Sequence, residues 1–246
     1  MTLSPAALAA TLDATNLRLD ATADDITALC IEARQQAYAC VMIYPTSVVL
    51  AAQVLAGSTV RIGTVVGFPG GRMCTPAKAA EIACAAKSGA HEVDIVMNYA
   101  TLRDGSPGEA AMELQTLTRQ AHELGLLVKV ITENCYLDEA QLLTALRMCE
   151  EAGADFIKTS TGFGRAGAQA ADVALWAKRR TGQIKIKAAG GIRTLSDAEA
   201  MLAAGAERLG TSNALGLLTE LQNRPAPAPE ACCKKSLHSG APCIAS

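Results

Sequence analysis

Lys158 ends the apolar run Phe156-Ile157, and Lys187 ends Ile184-Lys185-Ile186. An ammonium at the end of an apolar strand loses solvation, which lowers its pKa, and a second cation nearby lowers it further. A neutral amine is the form that attacks a carbonyl to give a Schiff base. Lysines at equivalent ends of consecutive strands, ~5 Å apart, are therefore candidates for an amine nucleophile and its electrostatic partner. The plainer reading is that each snorkels into water. Asp94, in Glu92-Val-Asp-Ile-Val96, is flanked by aliphatic residues. It could orient the lysines, relay protons or form a simple buried ion pair, and the sequence leaves these open. Asp13, in Thr11-Leu-Asp-Ala-Thr15, is a weaker candidate because that composition is common in turns. Lys129 and Lys185 lie earlier in their strands and read as structural charges paired with carboxylates such as Glu133.

A second group of residues suits an anion. Gly190-Gly191 follow Lys187 closely, Gly210-Thr-Ser-Asn213 closes the last apolar run, and Gly162-Phe-Gly164 adds another glycine turn. Glycines and small hydroxyls before a helix start present backbone N–H groups to a phosphate dianion. Gly162, Gly190, Gly191, Gly210, Ser212 and Asn213 are the candidate phosphate-binding residues. Val66-Gly-Phe-Pro-Gly-Gly71 lacks the lysine and hydroxyl of a P-loop and reads as a shaped loop over the site. His91, His122 and His238 have no ligand spacing and none ends an expected strand. A metal centre and a histidine-activated nucleophile are both disfavoured.

Strands separated by helices must position these groups. Apolar, β-branched runs are expected as strands at 39–44, 60–66, 92–97, 127–132, 156–159, 184–187 and 208–210, and the sequence leaves room for an additional short one at 11–15. Between them, Ile26, Leu29, Cys30, Ala33 and Ala37 form a helical stripe after the cap Thr22, and Leu114, Leu117, Ala121 and Leu124 form another. Thr75-Pro76, Asp138 and Ser196 are expected helix starts. Glycines 89, 153, 182 and 205 each stand five residues before Asp94, Lys158, Lys187 and Gly210 respectively. That spacing predicts a common height at the C-terminal strand ends, where α/β barrels assemble their sites. The expected fold is a single (β/α)8 TIM barrel over residues 1–222, with an open doubly wound sheet as the alternative. Residues 223–246, where Pro225, Pro227 and Pro229 alternate with alanine, read as a mobile tail.

Composition narrows the function classes. The 246 residues are 50% hydrophobic, and 22 Lys and Arg stand against 24 Asp and Glu. With no basic surplus and only 3% aromatics, no nucleic-acid partner is expected. No run nears the ~20 apolar residues of a membrane span, and the start lacks the basic region of a signal peptide. Nine scattered cysteines, an odd number, suit small core residues in a reducing cytoplasm better than a disulfide framework.

Seven segments, in order, carry a family resemblance: Val41-Met-Ile-Tyr-Pro45, Val66-Gly-Phe-Pro69, Glu92-Val-Asp-Ile-Val96, Lys129-Val-Ile-Thr-Glu133, Phe156-Ile-Lys-Thr-Ser-Thr-Gly162, Lys187-Ala-Ala-Gly-Gly-Ile-Arg-Thr194 and Gly210-Thr-Ser212. From about Leu12 to Leu218 the chain resembles the deoxyribose-phosphate aldolases, which are lysine-dependent, class I enzymes. The resemblance implies a TIM barrel that reversibly cleaves 2-deoxy-D-ribose 5-phosphate to D-glyceraldehyde 3-phosphate and acetaldehyde. It implies Lys158 as the Schiff-base lysine, Lys187 as the lysine that depresses its pKa, and Asp94 as the proton relay. Gly190, Gly191, Gly210 and Ser212 match phosphate-binding positions, and neither metal nor organic cofactor is implied. This chain has Ala14 where the family commonly has histidine, Asn213 where it often has serine, and no tyrosine in its tail. Asn213 could still donate to phosphate. A related Schiff-base aldolase with another aldehyde acceptor and a non-catalytic phosphosugar-binding barrel are the alternatives. Retention of both lysines argues against the second. A homodimer through helix faces is compatible with such a barrel.

Overall fold

The structure, a computed structural model, describes residues 3–224; of the stretch expected as a tail, 223–246, Asn223 caps α10 and Arg224 pairs with Glu199, and 225–246 lies outside the described residues. Eight parallel strands close into a barrel in sequence order: β1 (Leu12–Asn16), β2 (Cys40–Ile43), β3 (Arg61–Val66), β4 (Glu92–Val96), β5 (Leu127–Ile131), β6 (Phe156–Lys158), β7 (Lys185–Ala189) and β8 (Arg208–Thr211). Every expected strand is present. The open sheet is excluded because β8 pairs with β1, Gly210 opposite Asp13.

The connecting helices are α1 (Pro5–Ala9), α2 (Ala23–Gln36), α3 (Val48–Val54), α4 (Thr75–Ser88), α5 (Tyr99–Arg103), α6 (Pro107–Glu123), α7 (Glu139–Glu151), α8 (Ala170–Arg179), α9 (Leu195–Ala203) and α10 (Ala214–Gln222). Thr22 and Asp138 cap α2 and α7 as expected, each completing a reciprocal capping box. Two starts differ. Thr75 is already helical, with Cys74 at the cap position. α9 is capped by Thr194 rather than Ser196, because Asp197 returns a bond to Thr194 while Glu199, the partner Ser196 would need, pairs with Arg224.

Alternation splits each strand between two environments. Outward residues such as Ala14, Val41, Val93, Val128, Ile157, Ile186 and Leu209 pack with the helices into the main apolar core. Inward residues fill the barrel. Strand tilt advances the level position by about one residue per neighbouring strand, so alternate strands contribute to common layers. Applied to the observed register, this gives three layers of four. Cys40, Glu92, Phe156 and Arg208 form the floor. Asp13, Gly63, Lys129 and Lys187 lie above them. Met42, Asp94, Lys158 and Gly210 form the top. The +5 spacing thus places Asp94, Lys158 and Gly210 level with one another, while Lys187, on an odd-numbered strand, sits one layer lower.

Among the described residues, the expected use of cysteine holds for Cys30, Cys40 and Cys149, which are buried, but Cys74 and Cys84 are exposed; all six described cysteines are free. No helix of the described residues is long and apolar enough to cross a membrane.

Candidate active site

Lys158 and Lys187 are register partners on β6 and β7. Parallel pairing at matching parity turns both side chains inward, and their nitrogens converge on one oxygen. Lys158 Nζ donates to Asp94 Oδ2 at 2.7 Å, and Lys187 Nζ donates to the same atom at 2.8 Å. Lys129 Nζ donates to Asp94 Oδ1 at 2.8 Å. Asp94, Lys129 and Lys187 are fully buried and Lys158 is 3% exposed. The snorkelling reading therefore fails for both lysines.

The electrostatics follow from this crowding. Burial pushes the Lys158 ammonium down, Asp94 draws it back up, and Lys187 pushes it down again, leaving its pKa at about 8. Roughly one molecule in ten then carries the free amine at pH 7, against about one in several thousand for an ordinary lysine. Burial pushes the Asp94 carboxyl up, but the three surrounding ammonium groups outweigh it and hold the group well below the usual range. Asp94 is an anion that anchors three lysines.

Several expected pairings differ. Lys129 is deep and structural as expected, but its partners are Glu92 at 2.6 Å and Asp94, not Glu133. Lys185 is exposed, with its ammonium 5.7 Å over the Phe156 ring. Glu133 instead sits at the rim, buried and in the left-handed region at φ 52°. It accepts from the Thr161 amide at 3.2 Å and from the Thr161 hydroxyl. Burial pushes its carboxyl up against those bonds. Asp13 is fully buried, accepting from Lys187 and from Arg208. Its turn-like composition concealed a buried charge at the heart of the site.

Above Lys158 opens a cavity of about 810 Å³, lined by Lys158, Thr161, Gly162, Phe163, Gly190, Gly191, Gly210 and Ser212, and reaching Arg18, Asp25 and Glu32 on the α2 side. Five of the six candidate phosphate residues meet there. Asn213 does not line it: its Nδ2 donates to Arg193 O at 2.7 Å, and its amide to Thr211 Oγ1. Asn213 therefore stands outside the group that meets at the cavity. Gly190 and Gly191, at φ +85° and +79°, turn the chain sharply at the end of β7, in a conformation that L side chains rarely adopt. Phe68 of the glycine-rich loop meets Phe163 edge to face at 5.3 Å, so that loop does reach the cavity wall. Ala14 faces away from the cavity into the helix layer, so it does not contact a ligand there.

Asp13, Cys40 and Glu92 bring potential metal-ligand atoms within 4.8 Å of one another. Both carboxylates are already engaged by Lys129, Lys187 and Arg208, so this donor set is chemically one of ion pairs. Glu92 and Arg208 were not identified from sequence. The available signal was parity: each stands two residues before a candidate, Asp94 and Gly210, and so faces the same way.

Residues 7–220 match the DeoC/LacD family of aldolases. The deoxyribose-phosphate aldolase of Aciduliprofundum boonei is 40% identical over 87% of this chain and 97% of its own length. That of Thermococcus gammatolerans is 42% identical over 86% and 95%. The solved structure of the Aeropyrum pernix deoxyribose phosphate aldolase, described as tetrameric, superposes with a TM-score of 0.84 at 31% identity, covering 89% of this chain and 93% of that one.

Proposed function

The chain belongs to the DeoC/LacD aldolase family, and from that premise we propose that it cleaves 2-deoxy-D-ribose 5-phosphate reversibly to D-glyceraldehyde 3-phosphate and acetaldehyde, with Lys158 as the Schiff-base amine. The observation that carries the assignment is that Lys158 lines the cavity while Lys129 and Lys187, both fully buried, do not.

In this reading the neutral Nζ of Lys158 attacks C1 of the open-chain aldehyde. The carbinolamine loses water to give a protonated imine, which withdraws electrons from the C2–C3 bond. That bond breaks as the 3-hydroxyl gives up its proton. C3 becomes the aldehyde of glyceraldehyde 3-phosphate, and the electron pair remains as an enamine on C1–C2. Protonation at C2 and hydrolysis release acetaldehyde and the lysine. The family resemblance gives Asp94 the proton relay; its carboxyl, held well below the usual range, supports its anchoring the reacting amine as an anion. Lys187 holds the Asp94 oxygen on its other side and keeps positive charge beneath the imine. Gly162, Gly190, Gly191, Gly210 and Ser212 line the end of the cavity assigned to the phosphate.

Incubation with acetaldehyde and borohydride tests the assignment. One ethyl group on Lys158 supports it, and a folded protein that gains none there contradicts it. We further propose residues 1–222 as one catalytic domain, residence in the cytoplasm, and a homodimer as the smallest assembly. A monomer by sedimentation at working concentration would rule out the dimer.

A further inference from the structure

Beneath the reacting amine the barrel encloses a closed set of charges. Three carboxylates, Asp13, Glu92 and Asp94, meet four cations, Lys129, Lys158, Lys187 and Arg208, and none of the seven is more than 8% exposed. The remaining strands add no buried charge: β2 contributes Cys40, whose thiol burial pushes well up, and β3 contributes Gly63 to the interior and the exposed Arg61 at its start. Two groups face the set from its ends. Arg61 approaches Glu92 at 3.6 Å from the floor, but its side chain is 54% exposed and solvent screens it. Glu133, at the rim, is bonded to Thr161. With all four cations protonated, the interior holds one positive charge more than its carboxylates balance. A dry interior strongly disfavours such a surplus.

The cations are unequally held. Lys129 forms an ion pair with Glu92 at 2.6 Å and donates to Asp94 at 2.8 Å. Lys187 donates to Asp13 and to Asp94. Arg208 donates to Asp13 at 2.9 Å and to both oxygens of Glu92 at 2.9 Å. Lys158 has only Asp94 Oδ2, which it shares. It is also the one of the four that opens on the cavity. A proton leaves Lys158 at the smallest loss of partners.

We propose that Arg208 is a positioning residue for the reaction: held on Asp13 and Glu92 two layers beneath the substrate, it supplies the surplus cation of the barrel interior, and the interior returns to balance by releasing a proton from Lys158. Arg208 touches no substrate. It acts by occupying carboxylate charge that would otherwise serve the lysines. Without it, three carboxylates balance three lysines one for one, and Lys158 keeps its proton. This inference rests on the reading of Lys158 as the Schiff-base amine.

The test is the pH dependence of borohydride-trapped acetaldehyde on Lys158, with thermal unfolding as the check on folding. Arg208→Gln is expected to move the rising limb up by about one pH unit, about tenfold less trapping at pH 7. Glu92→Gln leaves two surplus cations and should move the limb down. The double variant, which loses one charge of each sign, should return it toward that of the parent, and Arg208→Lys should do the same. Folded single variants whose limbs stay in place, or a double variant that follows Arg208→Gln, overturn the proposal. Should Arg208→Gln fail to fold, Glu92→Gln and the double variant decide it by the same criteria. A parent protein that gains no ethyl group on Lys158 overturns the Schiff-base reading and this inference together. An adduct on Lys158 with unmoved limbs overturns the role of Arg208 alone.

Discussion

Lys158 and Lys187 face each other across one pair of hydrogen-bonded strands and donate to the same oxygen of Asp94. Two ammonium groups on one oxygen is an arrangement that favours loss of a proton from one of them, and the less enclosed of the two is Lys158.

Imine formation should therefore track deprotonation of Lys158. Its rate is expected to rise with pH to about 8 and then level. Replacing Lys187 by leucine removes a cation that lowers the Lys158 pKa, so the limb should move toward higher pH. Single-turnover trapping across pH 6–10 measures this, and an unchanged profile would contradict the role given to Lys187.

The same crowding has a cost in stability. The folded-state pKa of Lys158 lies near 8, below its ordinary value of 10.5. Between those values the unfolded chain binds more protons, so stability should rise as pH rises through that window. Below it the penalty is fully present, on the order of 3 kcal/mol. Lys158→Met should abolish turnover yet unfold at a higher temperature at pH 7, and its melting temperature should vary less between pH 8 and 10 than that of the parent. A lower melting temperature at pH 7 would count against the penalty.

Thr161 ties the glycine turn after β6 to the buried Glu133 carboxyl. Thr161→Val removes the hydroxyl donor at a cost of about 1–3 kcal/mol. It should raise KM for the phosphorylated substrate more than it lowers kcat, because Gly162 then loses its anchor. Thr161→Ser keeps the donor and should recover most of the loss in steady-state kinetics.

Two glycines of the cavity should respond differently to alanine. A Cβ on Gly210 would come 2.9 Å from the Ala189 Cβ and 3.3 Å from the Lys187 Cε, so Gly210→Ala presses on the amine pair. It should slow cleavage of deoxyribose with and without its phosphate. Gly191→Ala meets nothing within 4 Å and strains only the backbone, at φ +79°. Its effect, about tenfold, should be confined to the phosphorylated substrate. Parallel assays on the two sugars distinguish these outcomes.

Much of this was legible in the residues. The apolar runs marked seven of the eight strands and left room for the first, and the glycine-to-strand spacing put Asp94, Lys158 and Gly210 at one level because a helix cap, a short loop and a fixed rise per residue are local geometry. Thr22 and Asp138 declared their helices through side-chain bonds that span three residues. Asp13 was undervalued because strand and turn compositions overlap in so short a segment. Proximity in the chain points Lys129 to a carboxylate such as Glu133, four residues on, whereas its partners lie on the neighbouring strand.

The chain alone determined which residues point inward, since alternation along a strand involves only neighbouring peptide units. Which inward residues meet depended on closure. Tilt and the β8–β1 pairing bring Arg208 to Asp13, 195 positions earlier, and to Glu92. The balance of carboxylates and cations, and so the amine that sheds its proton, is a property of that enclosed volume, because Coulomb energies depend on distances and on the exclusion of water, which exist only once the barrel has closed.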